Sequence, residues 1–152
     1  MLKKIFFIVL LFNLLNHCEY KPVYSNQNNQ NYKIIINNFS GDKEINNQIV
    51  TNLTRFSKEE SDEVINISFN TEYKKNILAK NTAGTITNYQ ANLETKFIIT
   101  KKKYSKNLSL NEKFNFQKMT DKYEEKNYER NIKKNLANSV SQKLILKLAL
   151  IE

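Results

Sequence analysis

The sequence predicts an α+β two-layer sandwich of element order β-α-β-β-β-α, with a four-stranded, mainly antiparallel or mixed sheet and two helices on one face. Three observations predict it. Apolar residues alternate with period two in one run near residue 34 and in three successive runs between residues 65 and 116. They recur at helical spacing in two other segments, and the connectors between the last three strands are short and polar.

Tyr32, Ile34 and Ile36 alternate within a β-branched stretch that gives out near Phe39, Ser40 and Gly41, which sets a first strand. Ile45, Ile49, Leu53 and Phe56 follow at spacings of four, four and three. They share one helical face, with Asp42 as N-cap and an end ahead of Ser61 and Asp62. Period two returns in Ile65, Ile67, Phe69, Thr71 and Tyr73, again from Tyr89 to Ile99, and once more in Leu108, Leu110, Phe114 and Phe116. Lys80 to Thr85 and Lys101 to Asn107 connect these strands, so neighbours are expected to pair as antiparallel hairpins. Neither connector contains Asn-Gly or Asp-Gly, which leaves the register open. The positions between the apolar ones, such as Asn66, Ser68, Asn70 and Glu72, make the other face of the sheet polar.

A last helix is expected after Thr120 as its cap. Asp121, Glu124 and Glu125 suit its positive end, Lys143 and Lys147 its negative end, and Ile132, Leu136, Val140 and Leu144 supply the buried stripe. Its final segment, Leu144 to Ile151, is apolar nearly all round, so it is expected to pack against the core or against a partner.

Upstream of this single domain of residues 32–152 the chain has a different character. Lys3 and Lys4 precede the apolar run Ile5 to Leu15, the pattern of a secretory leader over residues 1–17. Such a run is shorter than the roughly 20 residues that span a bilayer as a helix. The segment Leu15-Asn16-His17-Cys18 resembles the lipobox of bacterial lipoproteins: Leu15 matches it, while Asn16 and His17 stand where small residues are usual. Cys18, the only cysteine, is therefore the candidate lipidation site and the route to a membrane. It has no second cysteine with which to form an internal disulfide. An unmodified exported thiol and an uncut leader acting as anchor are the other readings. Residues 18–31, with Pro22 and a run of Ser, Asn and Gln, read as a tether. The thirteen residues after Cys18 reach about 45 Å when extended.

Loss of residues 1–17 removes two lysines and no acid, lowering the formal charge from +9 to +7. A basic surface favours anionic lipid, phosphorylated glycolipid or nucleic acid, and export argues against nucleic acid. Asn accounts for 24 of the 152 residues, a bias that an AT-rich genome produces, so part of this charge need not concern a partner. Catalysis has little support. His17, the sole histidine, departs with the leader, no His/Cys cluster offers a metal site, and two glycines cannot build a phosphate loop. Neither enzyme activity nor a cofactor is expected.

The leader, the terminal cysteine, the segment Cys18-Glu19-Tyr20-Lys21-Pro22-Val23-Tyr24 and the element order together resemble the lipopolysaccharide-assembly lipoprotein family LptE. Tyr20, Pro22, Val23 and Tyr24 match that family's pattern after its lipidated cysteine, and Glu19 stands where glycine is usual. The resemblance implies a lipid-anchored protein on the periplasmic face of the outer membrane that plugs the LptD β-barrel. It also implies that the protein helps the barrel assemble and deliver lipopolysaccharide. Within that expectation Lys101, Lys102, Lys103 and Lys106, at the tip between the third and fourth strands, and Lys74 and Lys75 on the second are candidates for lipopolysaccharide or barrel contact. A lysine meets phosphate as a compact point charge. The same run equally suits a hairpin end kept soluble by charge.

Overall fold

The computed structural model describes residues 32–102 and 104–150; the leader, Cys18, the tether and the last two residues lie outside them. Six elements follow in order: β1 (Lys33–Gly41), α1 (Lys43–Phe56), β2 (Val64–Lys80), β3 (Ile86–Lys101), β4 (Tyr104–Gln117) and α2 (Lys122–Leu148). The strands lie in the sheet in the order β1-β2-β3-β4. β1 runs parallel to β2 while β2–β3 and β3–β4 are antiparallel, so the sheet is mixed. The α+β sandwich expected from the periodicity is the architecture found.

Both helices cover the face that carries the apolar alternation. Ile65, Ile67, Phe69, Leu93, Phe97 and Ile99 point into the core from the sheet, and Ile45, Ile49, Leu53, Ile132, Leu136, Val140 and Leu144 meet them from the helices. Burying side chains of this size stabilises by roughly 1.5–3 kcal/mol each, which explains why the helical stripes decide the layering. Phe69 links the sheet's parallel edge to its centre, with ring centroids 5.6 Å from both Phe39 and Phe97.

Local chemistry fixes where the helices start. Asp42 caps α1, its Oδ1 accepting from the amides of Glu44 and Ile45 at 3.0 and 3.1 Å. Asp121 rather than Thr120 caps α2, accepting from Tyr123 and Glu124. α1 stops at Phe56, ahead of Ser61 as expected, and the Ser57 hydroxyl then accepts from the amide of Ile34 in β1 at 2.9 Å, tying the chain back to the sheet.

The strands of the two hairpins are longer than their apolar alternation indicates. β2 continues to Lys80 and β3 begins at Ile86, joined by residues 81–85, where Asn81 Oδ1 accepts from the amides of Ala83 and Thr85 and Gly84 takes a left-handed φ of 77°. The expected connector from Lys101 to Asn107 shrinks to a two-residue turn, since Lys101 pairs with Tyr104. Lys102 supplies the left-handed conformation, φ 53°, that glycine or asparagine usually supplies there.

Candidate functional site

Helix direction determines what meets at each end of the sheet. The amide of Lys58, just past α1, bonds the carbonyl of Tyr32, just before β1, so α1 runs back along β1. α2 runs the same way as α1: Lys133 lies 2.6 Å from Asp42, and Asn138 and Ser141 accept from Asn52 at 2.9 and 3.3 Å. One end therefore collects the start of β1, the α1–β2 connector, the β3–β4 turn and the last turns of α2. This is the proximal end, where the chain arrives from the tether.

The lysine tip lies there. Lys101 forms an ion pair with Glu63 at 3.0 Å, and that hydrogen bond, together with the charges of Lys101 and more weakly of Lys102, holds the Glu63 carboxyl below the usual range. Lys102 and Lys106 are exposed and, among the described residues, make no ion pair. The connector next to Glu63 adds Glu59, Glu60 and Asp62 against Lys58, and Lys33 begins β1, so acids outnumber bases beside β1 and β2, while Lys101, Lys102 and Lys106 lie beside β3 and β4.

Lys74 and Lys75 are elsewhere. Nine and ten strand positions separate their rows from the Lys101 row, a distance of about 30–33 Å at the usual rise. They also face opposite ways. Lys74 sits on the uncovered face and pairs with Glu72 of its own strand. Lys75 turns under α2, where its ammonium lies 2.8 Å from Glu125, 3.0 Å from Glu129 and 4.3 Å above the Tyr89 ring. Burial lowers its affinity for the proton, but hydrogen bonds to the two glutamates outweigh this and raise its pKa. Lys75 thus joins α2 to the sheet rather than facing a ligand, and Lys74 and Lys75 share no site with Lys101, Lys102 and Lys106; Lys103 lies outside the described residues.

The uncovered face is a field of amides and hydroxyls. Across β2, β3 and β4 its rows read Asn66–Thr100–Ser105, Ser68–Ile98–Asn107, Asn70–Lys96–Ser109, Glu72–Glu94–Asn111, Lys74–Asn92–Lys113 and Asn76–Gln90–Asn115. Two of its lysines are tied to glutamates of their own strands, Lys74 to Glu72 and Lys96 to Glu94 at 3.2 Å. Such a face offers many hydrogen-bond donors and acceptors. At the far end of the sheet a groove of 480 Å³ runs between Thr85–Asn88 and Gln117–Thr120, lined by polar side chains with Ile86 and Met119. Among the described residues no group of three or more His, Cys, Asp or Glu side chains is placed to hold a metal ion. No helix among them is long and apolar enough to cross a membrane.

Sequence reasoning missed Glu63 as the partner of Lys101 and the carboxylate pair that holds Lys75. The four-residue spacing of Glu125 and Glu129 put both on one helical face, which was a readable signal. Nothing in the sequence tied them to β2.

No family model and no curated protein matches the chain. Solved structures with the same fold do exist. Rare lipoprotein B from Shewanella oneidensis superposes with a TM-score of 0.57 at 11% identity, over 76% of this chain and 97% of the other. A minor lipoprotein from Acinetobacter baumannii gives 0.51 at 13% identity over 76% and 92% of the two chains. A lipoprotein from Caulobacter crescentus gives 0.51 at 7% identity over 79% and 88%. The chain has the fold of these bacterial lipoproteins.

Proposed function

We propose that the protein is a lipoprotein of the outer membrane, held on its periplasmic face by an acyl group on Cys18, that plugs the LptD barrel, assists its assembly and supports delivery of lipopolysaccharide. One conjunction carries the reading. A fold that spans nearly the whole of a known lipoprotein domain follows a leader that ends at a lone cysteine, and Tyr20, Pro22, Val23 and Tyr24 come directly after it. The role is structural rather than enzymatic. The amide-rich sheet face offers hydrogen bonds to a polar lumen, and the lysines of the β3–β4 turn offer charge to phosphates of the glycolipid or to the barrel.

The Lys101–Glu63 pair favours a second reading, because it lessens the charge the tip presents to a phosphate. In that reading the protein is an envelope lipoprotein of another pathway, such as an auxiliary subunit of a lipid transporter or a secretin pilotin. Depletion in the native organism separates the two. The first reading expects the mature barrel to fall with the protein and lipopolysaccharide to be lost from the surface. An unchanged barrel would favour the second.

A further inference from the structure

β4 is an edge of the sheet, and no strand pairs with its outer side among the described residues. The bonding on its inner side defines what the free side offers. The amide of Lys118 donates to the carbonyl of Thr87, and from there β3 and β4 pair without a register shift as far as Tyr104. In an antiparallel ladder each residue turns both its backbone groups to one neighbour, and successive residues alternate. The even-numbered residues of β4 therefore bond β3, while Ser105, Asn107, Ser109, Asn111 and Lys113 turn their N–H and C=O groups outward. All five are exposed. Such an edge is a template for another strand.

The side chains determine which strand fits. On the face that carries the helices β4 presents, in sequence, Tyr104, Lys106, Leu108, Leu110, Glu112 and Phe114. Tyr104 is 59% exposed and Phe114 38%. This series is complementary to its own reverse about Ser109. A second β4 laid antiparallel, Ser109 against Ser109, sets Lys106 opposite Glu112, Tyr104 opposite Phe114 and Leu108 opposite Leu110, each twice. On the other face it sets Asn107 opposite Asn111. Opposite charges and aromatic pairs directly across a ladder stabilise it. The outward-turned residues also fall opposite one another, as a ladder requires. Adjacent symmetric registers lose the match: a centre at Leu108 puts Tyr104 opposite Glu112, and a centre at Leu110 puts Leu108 there. Lys143 of α2 engages Oε1 of Glu112, which leaves Oε2 for the Lys106 of a second copy.

We infer that β4 is the interface of a symmetric homodimer, in which two copies join edge to edge about Ser109 and form one continuous sheet with all the helices on the same face. The contact is isologous, the same strand meeting itself about a two-fold axis. Lys106 makes it selective. A charged residue on an edge strand deters pairing with strands that bring no acid opposite, and the second copy brings Glu112. The inference concerns the protein apart from any partner and is separate from the barrel reading.

The test uses the chain from residue 18 onward with Cys18→Ser, which removes the only native thiol. All six elements lie within residues 33–148, so this chain keeps the entire fold. Sedimentation equilibrium should show a reversible dimer forming between about 1 μM and 1 mM. Lys106→Glu alone sets like charges opposite each other twice, as does Glu112→Lys alone, and each should weaken dimerisation by about tenfold or more. Mixing the two variants restores both opposite-charge pairs, so the mixture should dimerise about as well as the starting chain. That recovery also requires both variants to be folded. Ser109→Cys should be joined to its copy by a short thiol cross-linker. Ser105→Cys should not, because its two copies stand opposite Lys113, about 26 Å apart along the ladder. A monomer throughout the range, a dimer indifferent to both charge variants, a mixture no better than its components, or cross-linking at position 105 in place of 109 would overturn the inference. Each of these leaves the barrel reading untouched.

Discussion

The ammonium of Lys75 on β2 and the carboxylate of Glu125 in the first turn of α2 lie 2.8 Å apart, joining elements 50 residues distant in sequence. Glu129 completes the clamp from the next turn and also accepts from the Tyr73 hydroxyl at 3.0 Å. Beyond Thr71, where β1 has ended, α2 is the only helix over this part of the sheet among the described residues, and the clamp ties it down beside the buried Ala91, Leu93 and Phe116.

Replacing Lys75 with Met keeps an unbranched side chain against the Tyr89 and Phe116 rings but leaves two carboxylates without their counter-charge. Water reaches this cluster, so the cost should fall below that of a fully buried pair, at about 1–2 kcal/mol in urea unfolding. Its pH dependence has a definite sign. The hydrogen bond from Lys75 lowers the Glu125 pKa, so the stabilisation is present above the ordinary glutamate range and is lost as pH falls through the lowered folded value. The raised pKa of Lys75 means the same stabilisation is lost at the alkaline end as pH climbs through its folded value. The difference between wild type and Lys75→Met should be flat between about pH 5 and 10 and shrink on either side.

Gly41 ends β1 at φ 105°, and a Cβ there would fall on the carbonyl oxygen and hydroxyl of Thr71. Thr71 is itself tied down, accepting from the Asp42 amide at 3.1 Å and donating to Asn46 Oδ1 at 2.6 Å. Gly41→Ala combines left-handed strain with a backbone clash, so it should cost on the order of 3 kcal/mol or more in thermal or urea unfolding. A loss below about 1 kcal/mol would mean that β1 need not approach Thr71 this closely.

Thr95 lies fully buried in the centre of β3, and its hydroxyl has no hydrogen-bond partner among the described residues. Desolvating a hydroxyl without a partner costs roughly 1–3 kcal/mol, whereas a methyl fits an apolar site. Thr95→Val should therefore raise stability by about 1 kcal/mol, seen as a higher urea midpoint with unchanged slope. Destabilisation by that substitution would show that the hydroxyl is satisfied in solution.

Much of the architecture was legible because burial and periodicity coincide where both helices cover the sheet. Ile45, Ile49 and Leu53 share the face the spacing indicated and are fully buried, and Asp42 is the cap its position indicated. The alternation fades past Tyr73 because α2 alone lies above, and Lys75 can occupy an inward position by virtue of Glu125 and Glu129. That is why β2 and β3 extend further than their apolar runs. The tight turn at Lys102 escaped notice because a lysine holds a conformation normally marked by glycine or asparagine. The apolar end of α2 is divided rather than wholly packed: Leu144, Ile145 and Leu148 are buried, while Leu146 and Leu150 face outward. Of the candidate site, the clustering of Lys101, Lys102 and Lys106 was readable from adjacency, but the pairing of Lys101 with Glu63 and the separation of Lys74 and Lys75 from that cluster depend on pairing across strands.

The measurement that tests the central claim most directly is a mild-detergent isolation of the tagged full-length protein from its native envelope, with mass spectrometry of its partners and of the peptide containing Cys18. The account predicts a stoichiometric large β-barrel partner and an acylated Cys18. An acylated protein without a barrel, or a barrel-free preparation with an unmodified thiol, would contradict it.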